Sequence, residues 1–285
     1  MRDYQQEMLD RLYKAWKRQR SVMVQMPTGT GKTWLMAVAI RREKGRVNSE
    51  KFATARILVV AHRRELIEQI SRTLDSFGIE NGLIVSGREI DETKQVQVAS
   101  IQTLARREQL FPPLERRWNG DGTESGSKLF TIHFSLIIID EAHHALARTY
   151  RMLWDKWPKA RFLGLTATPC RLNNAPFTDL FDTLLQSWSI QEFIDKGWLS
   201  DFEYVSASPD SEAMRRVRSL RKRGADGDYQ TTELATVMDV PESVEHLYRT
   251  YRQFAYGKKG IVYAINREHA GHIATYIIIW GCGVR

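Results

Sequence analysis

Residues 26–33 read Met-Pro-Thr-Gly-Thr-Gly-Lys-Thr, between an apolar strand and an apolar helix. No other stretch constrains the fold as tightly. Ser21 to Gln25 supply the strand, and Trp34 to Ile40 begin a helix whose first amide groups point back at the loop. A strand, a glycine-rich turn and a helix start in that order make an anion site. Pro27, Thr28, Gly29, Thr30 and Gly31 form the turn, with the two glycines giving the backbone room to curl around phosphates. Lys32 adds a mobile cation, and Thr33 offers a hydroxyl to Mg2+. The strict phosphate-loop pattern has glycine where Met26 stands, so a glycine-rich turn with a lysine beside it remains the competing reading of these residues alone.

With 285 residues, the chain can form one large domain or two modest ones. A net charge of +8 favours a polyanionic partner, nucleic acid above all. Two cysteines, Cys170 and Cys282, provide neither a disulfide framework nor zinc-ligand spacing, which fits a reducing compartment. The apolar run near Ile273 to Val284 is shorter than the roughly 20 residues a bilayer span requires, and residues 1–7 lack a signal-peptide core. The expectation is a cytoplasmic chain with no membrane partner.

Apolar residues at Met8, Leu9, Leu12, Tyr13 and Trp16 predict a helix leading into the loop strand. Just before it stand Arg2, Tyr4 and Gln5, where a ring could stack on a base and an amide could read an adenine edge. An ordinary helix start uses the same residues. Beyond the loop helix, Arg41 to Ala55 reads as a polar surface connection, and Arg56 to Ala61 as a buried parallel strand. Arg63 and Arg64 then open a second helix at the carboxyl edge of the sheet, the usual ligand edge of open α/β folds. A solvated charged turn is the alternative.

Leu83 to Val85 and Val96 to Ala99 predict short strands. Ser100, Gln102 and Thr103 follow the second, with side chains suited to phosphate contact, although helix capping explains Ser100 equally well. Pro112 to Lys128 carries loop signals throughout. Leu136 to Ile139 then bury a central strand from which Asp140 and Glu141 emerge, followed by His143. Paired carboxylates there suit metal-assisted hydrolysis: Asp140 holding Mg2+ and Glu141 polarising the attacking water. Acidic capping residues are the plainer explanation.

Arg161 to Leu165 form another strand, tipped by Thr166 and Thr168, hydroxyls that could couple nucleotide state to a neighbouring surface. Helical spacing follows over Phe177 to Trp188 and Ile190 to Trp198, then a strand at Phe202 to Val205 and a linker over Pro209 to Tyr229. The linker carries Arg215, Arg216, Arg218, Arg221, Lys222 and Arg223, a solvated helix face or a phosphate-binding element. Lys258 to Ile265 predicts a last strand, followed by a short helix.

Together and in this order, these motifs resemble those of superfamily 2 nucleic-acid helicases and translocases of the DEAH-box type, most closely the branch with repair helicases and type I restriction motors. The resemblance runs from Arg2 to about Ile273 and accounts for Met26, since the family's first motif matches Pro27 to Thr33. It implies an α/β fold: a RecA-like P-loop NTPase with a mostly parallel sheet and helices on both faces. The implied domains are an ATP-binding lobe over 1–205, a helical basic linker over 206–257, and an incomplete second lobe over 258–285. By the same resemblance Gln5 reads adenine, Lys32 and Thr33 hold phosphate and Mg2+, and Asp140 and Glu141 are metal ligand and base. His143, Thr166 and Thr168 couple hydrolysis to movement, while Arg63, Ser100, Gln102 and Thr103 lie in segments that contact the nucleic-acid backbone. The implied activity is ATP-dependent movement on nucleic acid, DNA in preference to RNA. A different class, a nucleotide-gated binding module with little turnover, fits a chain without a complete second lobe. The missing arginines of that lobe would come from its continuation or a protein partner.

Overall fold

The apolar runs of the first two hundred residues are too continuous for half-exposed strands, and they form a sheet covered on both faces. In the computed structural model, residues 2–49, 56–106, 133–145, 148–169, 179–206, 212–222 and 229–281 are described. The chain divides into two compact units, Met1–Asp201 and Phe202–Arg285.

The first unit holds seven strands: β1 (Ser21–Gln25), β2 (Arg56–Ala61), β3 (Asn81–Ile84), β4 (Val96–Ser100), β5 (Phe134–Ile139), β6 (Arg161–Thr166) and β7 (Thr183–Gln186). Every pairing is parallel, in the order β3-β4-β2-β5-β6-β1-β7. This is the α/β architecture expected of the RecA-like fold. Side chains alternate across each strand, so one strand feeds two cores. Val22, Val24, Ile57, Val59, Ile138 and Leu163 join the helices α1 (Asp3–Ala15), α2 (Lys32–Ser49) and α3 (Arg64–Ser76) through Leu9, Leu12, Leu35, Ile40, Ile67 and Leu74. Met23, Leu58, Val60, Ile137 and Phe162 point the other way, toward α4 (Ile101–Arg106) and α5 (Arg148–Lys156) through Leu104, Leu153, Trp154 and Trp157.

The register puts every catalytic candidate at one edge. Gln25 pairs with Thr166, Ala61 with Ser100, and Ile139 with Gly164, so the carboxyl ends of β1, β2, β4, β5 and β6 are level. The amides of Met26 and Asp140 extend the ladder by donating to the carbonyls of Thr166 and Val60.

Several segments differ from the sequence reading. Phe177 to Trp188 reads as a helix, but residues 183–186 are β7, the edge strand beside β1; residues 177 and 178 lie outside the described residues. Phe181, Leu184, Leu185 and Trp188 fit a helical period as well as a strand one, and the pairing offered by β1 decides. The loop helix continues through Arg41 to Ser49 instead of yielding to a connection at Arg41. The loop expected over Pro112 to Lys128, and Arg223, lie outside the described residues.

The second unit is helical: α7 (Glu212–Ser219), α8 (Thr231–Met238), α9 (Pro241–Phe254) and α10 (Arg267–Gly281). The linker arginines 215, 216 and 218 sit on α7, with Arg216 paired to Glu212. Val244 and Ile273 are buried, and the Tyr248 and Tyr276 rings lie 5.8 Å apart. The strands expected at Phe202 to Val205 and Lys258 to Ile265 are irregular backbone. A strand requires a neighbour for its ladder, and none is present beside either segment among the described residues. Tyr204 and Tyr263 are accordingly exposed, at 82% and 91%.

Candidate nucleotide and nucleic-acid site

The phosphate loop closes on itself through short-range bonds. Gly29 and Gly31 have φ of +85° and +96°, a region costly for residues with a Cβ. The Thr30 hydroxyl donates to the Pro27 carbonyl at 2.7 Å, and the Lys32 ammonium donates to the Met26 carbonyl at 3.3 Å. Helix α2 begins at Lys32, so its free amides face the turn. Glycine is required at 31 by its dihedral, and a Cβ there would also stand 2.5 Å from the Gln5 amide nitrogen, which would have to move.

Arg2, Tyr4 and Gln5 brace that turn from behind. The Tyr4 hydroxyl donates to the Thr30 carbonyl at 2.9 Å, and the Gln5 amide to the same oxygen at 3.4 Å. Gln5 Oε1 accepts from the Arg2 backbone amide at 3.2 Å, and Arg2 Nη1 donates to the Tyr4 hydroxyl at 3.0 Å. Tyr4 is only 3% exposed, with its ring packed by Phe193 at 4.8 Å and Trp188 at 5.4 Å. The sequence reading offered this ring for stacking on a base. Its faces are instead used up inside the core, and it serves the loop.

Across β6 from the loop stand the carboxylates. Because β6 separates β1 from β5, the loop and Asp140 lie two strand spacings apart, about 10 Å, a gap that a metal-bound triphosphate can bridge. Burial pushes the Asp140 carboxyl above its ordinary value, and the neighbouring Glu141 charge adds to this; the Glu141 amide and the Lys32 charge oppose it. Burial pulls the Lys32 ammonium down, against the attraction of Glu141 and Asp140. Both groups are thus under-solvated, and a phosphate-bound cation would relieve Asp140 while phosphate would relieve Lys32. Among the described residues no group of three or more metal-ligating side chains converges. Asp140 and Thr33 are the side chains that would hold a Mg2+ ion, together with phosphate oxygens of a nucleotide.

Glu141 has φ 49° and ψ 52°, the single non-glycine residue at positive φ among the described residues. That left-handed conformation costs free energy and recurs at functional sites. It turns the chain into the 3-10 helix Ala142–His144. Gly164 accepts this turn: a Cβ there would come within 2.9 Å of Ala142 and 2.6 Å of Phe181. A glycine in mid-strand signals close approach, and by that sign Gly164 was readable in the sequence though not singled out.

A polar relay leaves Glu141. His143 Nδ1 lies 3.3 Å from Glu141 Oε2 and 3.0 Å from the Thr166 hydroxyl. The fully buried Thr166 hydroxyl donates to the Thr168 carbonyl at 2.9 Å and accepts from the Thr168 amide at 3.1 Å. The Thr166 hydroxyl and the Thr168 backbone carry these contacts.

The basic candidates lie farther along the same edge. Exposed Arg63 caps the start of α3, and exposed Arg64 pairs with Glu68 at 3.3 Å. The Ser100 hydroxyl donates to the Gln102 side-chain oxygen Oε1 at 2.7 Å and accepts from the Thr103 backbone amide at 3.5 Å. Thr103 itself is buried, which leaves Gln102 as the exposed member of that trio. Sequence reasoning missed the segment after β7. There Leu199 packs 3.4 Å from the Cβ position of Gly29, and Trp198 lies against Tyr4 and Arg2.

The family model described as type III restriction enzyme, res subunit, matches residues 1–171. The helicase-like protein IRC3 of Saccharomyces cerevisiae is 27% identical over 94% of this chain and 37% of its own length. A type I restriction enzyme EcoAI endonuclease subunit of Escherichia coli is 26% identical over 91% of this chain and 32% of its own length. This chain therefore spans about a third of these two relatives. The solved structure of the type ISP restriction-modification enzyme LlaGI, in a nuclease-deletion form with a DNA substrate mimic, superposes over 98% of this chain and 26% of that one, with a TM-score of 0.52 at 12% identity, a likeness of fold. By the match over residues 1–171, the chain belongs to the type III restriction enzyme res-subunit family, in the restriction and repair branch of the superfamily 2 helicases.

Proposed function

We propose that this chain is the ATP-binding lobe, with following helical elements, of a cytoplasmic DEAH-box motor that couples ATP hydrolysis to movement along DNA in preference to RNA. The observation that carries this is the juxtaposition of the Lys32 loop with Asp140 and Glu141 across β6, continued by the Glu141–His143–Thr166–Thr168 relay. Lys32 and the loop amides hold the β- and γ-phosphates of ATP, and Asp140 with Thr33 would hold an accompanying Mg2+, which would neutralise phosphate charge. Glu141 takes a proton from water as its oxygen attacks the γ-phosphorus, and the β–γ bridging oxygen leaves with ADP. His143 and Thr166 carry the change at Glu141 toward Thr168. The type I restriction subunit and a relative named as a DNA 3'-5' translocase, from Sulfurisphaera tokodaii, favour DNA.

A second reading is a nucleotide-gated module with little turnover. The elements described in the second unit are helices. Steady-state ATP hydrolysis with and without DNA separates the two. In an active protein, Glu141→Gln should bind ATP normally and lose at least about tenfold in rate, or about 1.4 kcal/mol of barrier. A smaller loss would remove Glu141 from the role of base.

A further inference from the structure

Tyr150 stands in the first turn of α5, the helix that leaves the carboxyl edge after β5 and returns the chain to β6. It is 3% exposed and packs in one cluster with Ile139, Ala142 and Ala145, residues on both sides of Asp140 and Glu141. Its hydroxyl is sealed from solvent and has no hydrogen-bond partner among the described residues. A buried donor without a partner costs stability and calls for an explanation. Elsewhere the chain fills such places with phenylalanine, as at Phe162 in β6 and Phe193 in α6 (Ile190–Asp195), both fully buried. The buried Trp154 indole, one turn along α5, is paired, donating to the Ser21 hydroxyl at 3.2 Å.

Burial, and after it the charge of Asp140, hold the Tyr150 hydroxyl protonated well above the ordinary tyrosine range. It is therefore a donor in the field of a carboxylate. Asp140 has acceptor capacity to spare, since a carboxylate offers about four lone-pair sites and the Glu141 amide takes one. An aspartate carboxylate also turns easily about its last torsion, so a second donor would decide which oxygen faces which way.

We propose that Tyr150 is a positioning residue for Asp140: its hydroxyl donates to one carboxylate oxygen when Asp140 takes up a cation, leaving the other oxygen presented to the ion. This rests on Asp140 being a Mg2+ ligand of the ATP site. Carboxylates that ligate metals are themselves commonly held by hydrogen bonds of this kind.

Calorimetry on the full chain tests this, titrating ATP with Mg2+ and, separately, ATP with EDTA, beside thermal melts without nucleotide. Tyr150→Phe keeps the ring and deletes only the hydroxyl. The melt should stay at the parent's Tm or rise, because the lost donor had no partner. ATP affinity in EDTA should be unchanged, and affinity with Mg2+ should weaken by about tenfold, the worth of a hydrogen bond to an ionised group. In an Asp140→Asn background, Tyr150→Phe should cost less than about twofold more. A Tm clearly below the parent's would show the hydroxyl already bonded in a structural role and would overturn the proposal. So would an equal loss with and without Mg2+, no loss with Mg2+, or the full loss persisting in Asp140→Asn. An unmodified chain that fails to bind ATP, or binds it equally with and without Mg2+, would refute the metal-ligand reading of Asp140, and this proposal with it.

Discussion

Thr166 and Thr168 look equivalent in sequence, two hydroxyls at a strand tip, yet the structure gives them opposite roles, and substitution separates them. Thr166→Val preserves shape and deletes the hydroxyl that meets His143 Nδ1, the Thr168 carbonyl and the Thr168 amide. Each such bond contributes roughly 1 kcal/mol, and a buried group left unpaired costs about 1–3 kcal/mol. With exposed Thr168 able to recruit water for its own backbone, the expected loss is about 2–3 kcal/mol. For a unit of this size, 1 kcal/mol corresponds to roughly 2–4 °C, which predicts a fall in Tm of about 4–12 °C by calorimetry or circular dichroism. Thr168→Ala removes an exposed side chain with no hydrogen bond among the described residues and should stay within about 0.5 kcal/mol of the parent. A double-mutant cycle of Thr166→Val with His143→Ala should return a coupling of about 1 kcal/mol. If Thr166→Val melts with the parent, or Thr168→Ala falls as far as Thr166→Val, the relay is not as drawn.

Lys32 should make ATP binding sensitive to alkali. Burial lowers its pKa from the ordinary lysine value, so the ammonium loses its proton earlier than a free lysine and affinity falls as pH rises into the alkaline range; Lys32→Arg, charged throughout, should flatten the profile, and a flat profile in the parent would contradict the burial. Nucleic acid should bind near Arg63 mainly through phosphates. If about four are neutralised, affinity should fall roughly a hundredfold between 50 and 200 mM salt. Arg63→Ala with Arg64→Ala should lower the salt slope by up to about two, most of it from Arg63, because Arg64 already holds Glu68. An unchanged slope in the double variant would leave these arginines as a solvated turn.

The parallel sheet was legible because its strands are continuous apolar runs and the loop sits between a strand and a helix. Asp140 and Glu141 were legible because they end such a run. What sequence could not supply was partnership. Residues 183–186 carry a spacing that suits helix or strand, and β1 chose for them. Residues 258–265 have the composition of a strand, yet a strand is a property of two segments. The role of Tyr4 was misjudged for a related reason: an aromatic residue near a nucleotide site can be surface or support, and the burial by Trp188 and Phe193 comes from residues over 180 positions away in the chain.

The position of β1 bears on how the protein is made. Its two neighbours are β6 and β7, so the strand leading into the phosphate loop, complete by Gln25, has no hydrogen-bonding partner until residues 161–166 and then 183–186 have been synthesised. At translation speeds of about 5–20 residues per second, that is a delay of roughly seven to thirty seconds. During it, Val22, Met23 and Val24, all fully buried in the finished sheet, belong to a strand with both edges open. A nascent chain released before about residue 166 would contain the whole phosphate loop and still lack the two strands that hold it in place. Nucleotide should consequently be unable to aid folding from the ribosome until late, and chaperone dependence should concentrate on the interval before β6 emerges.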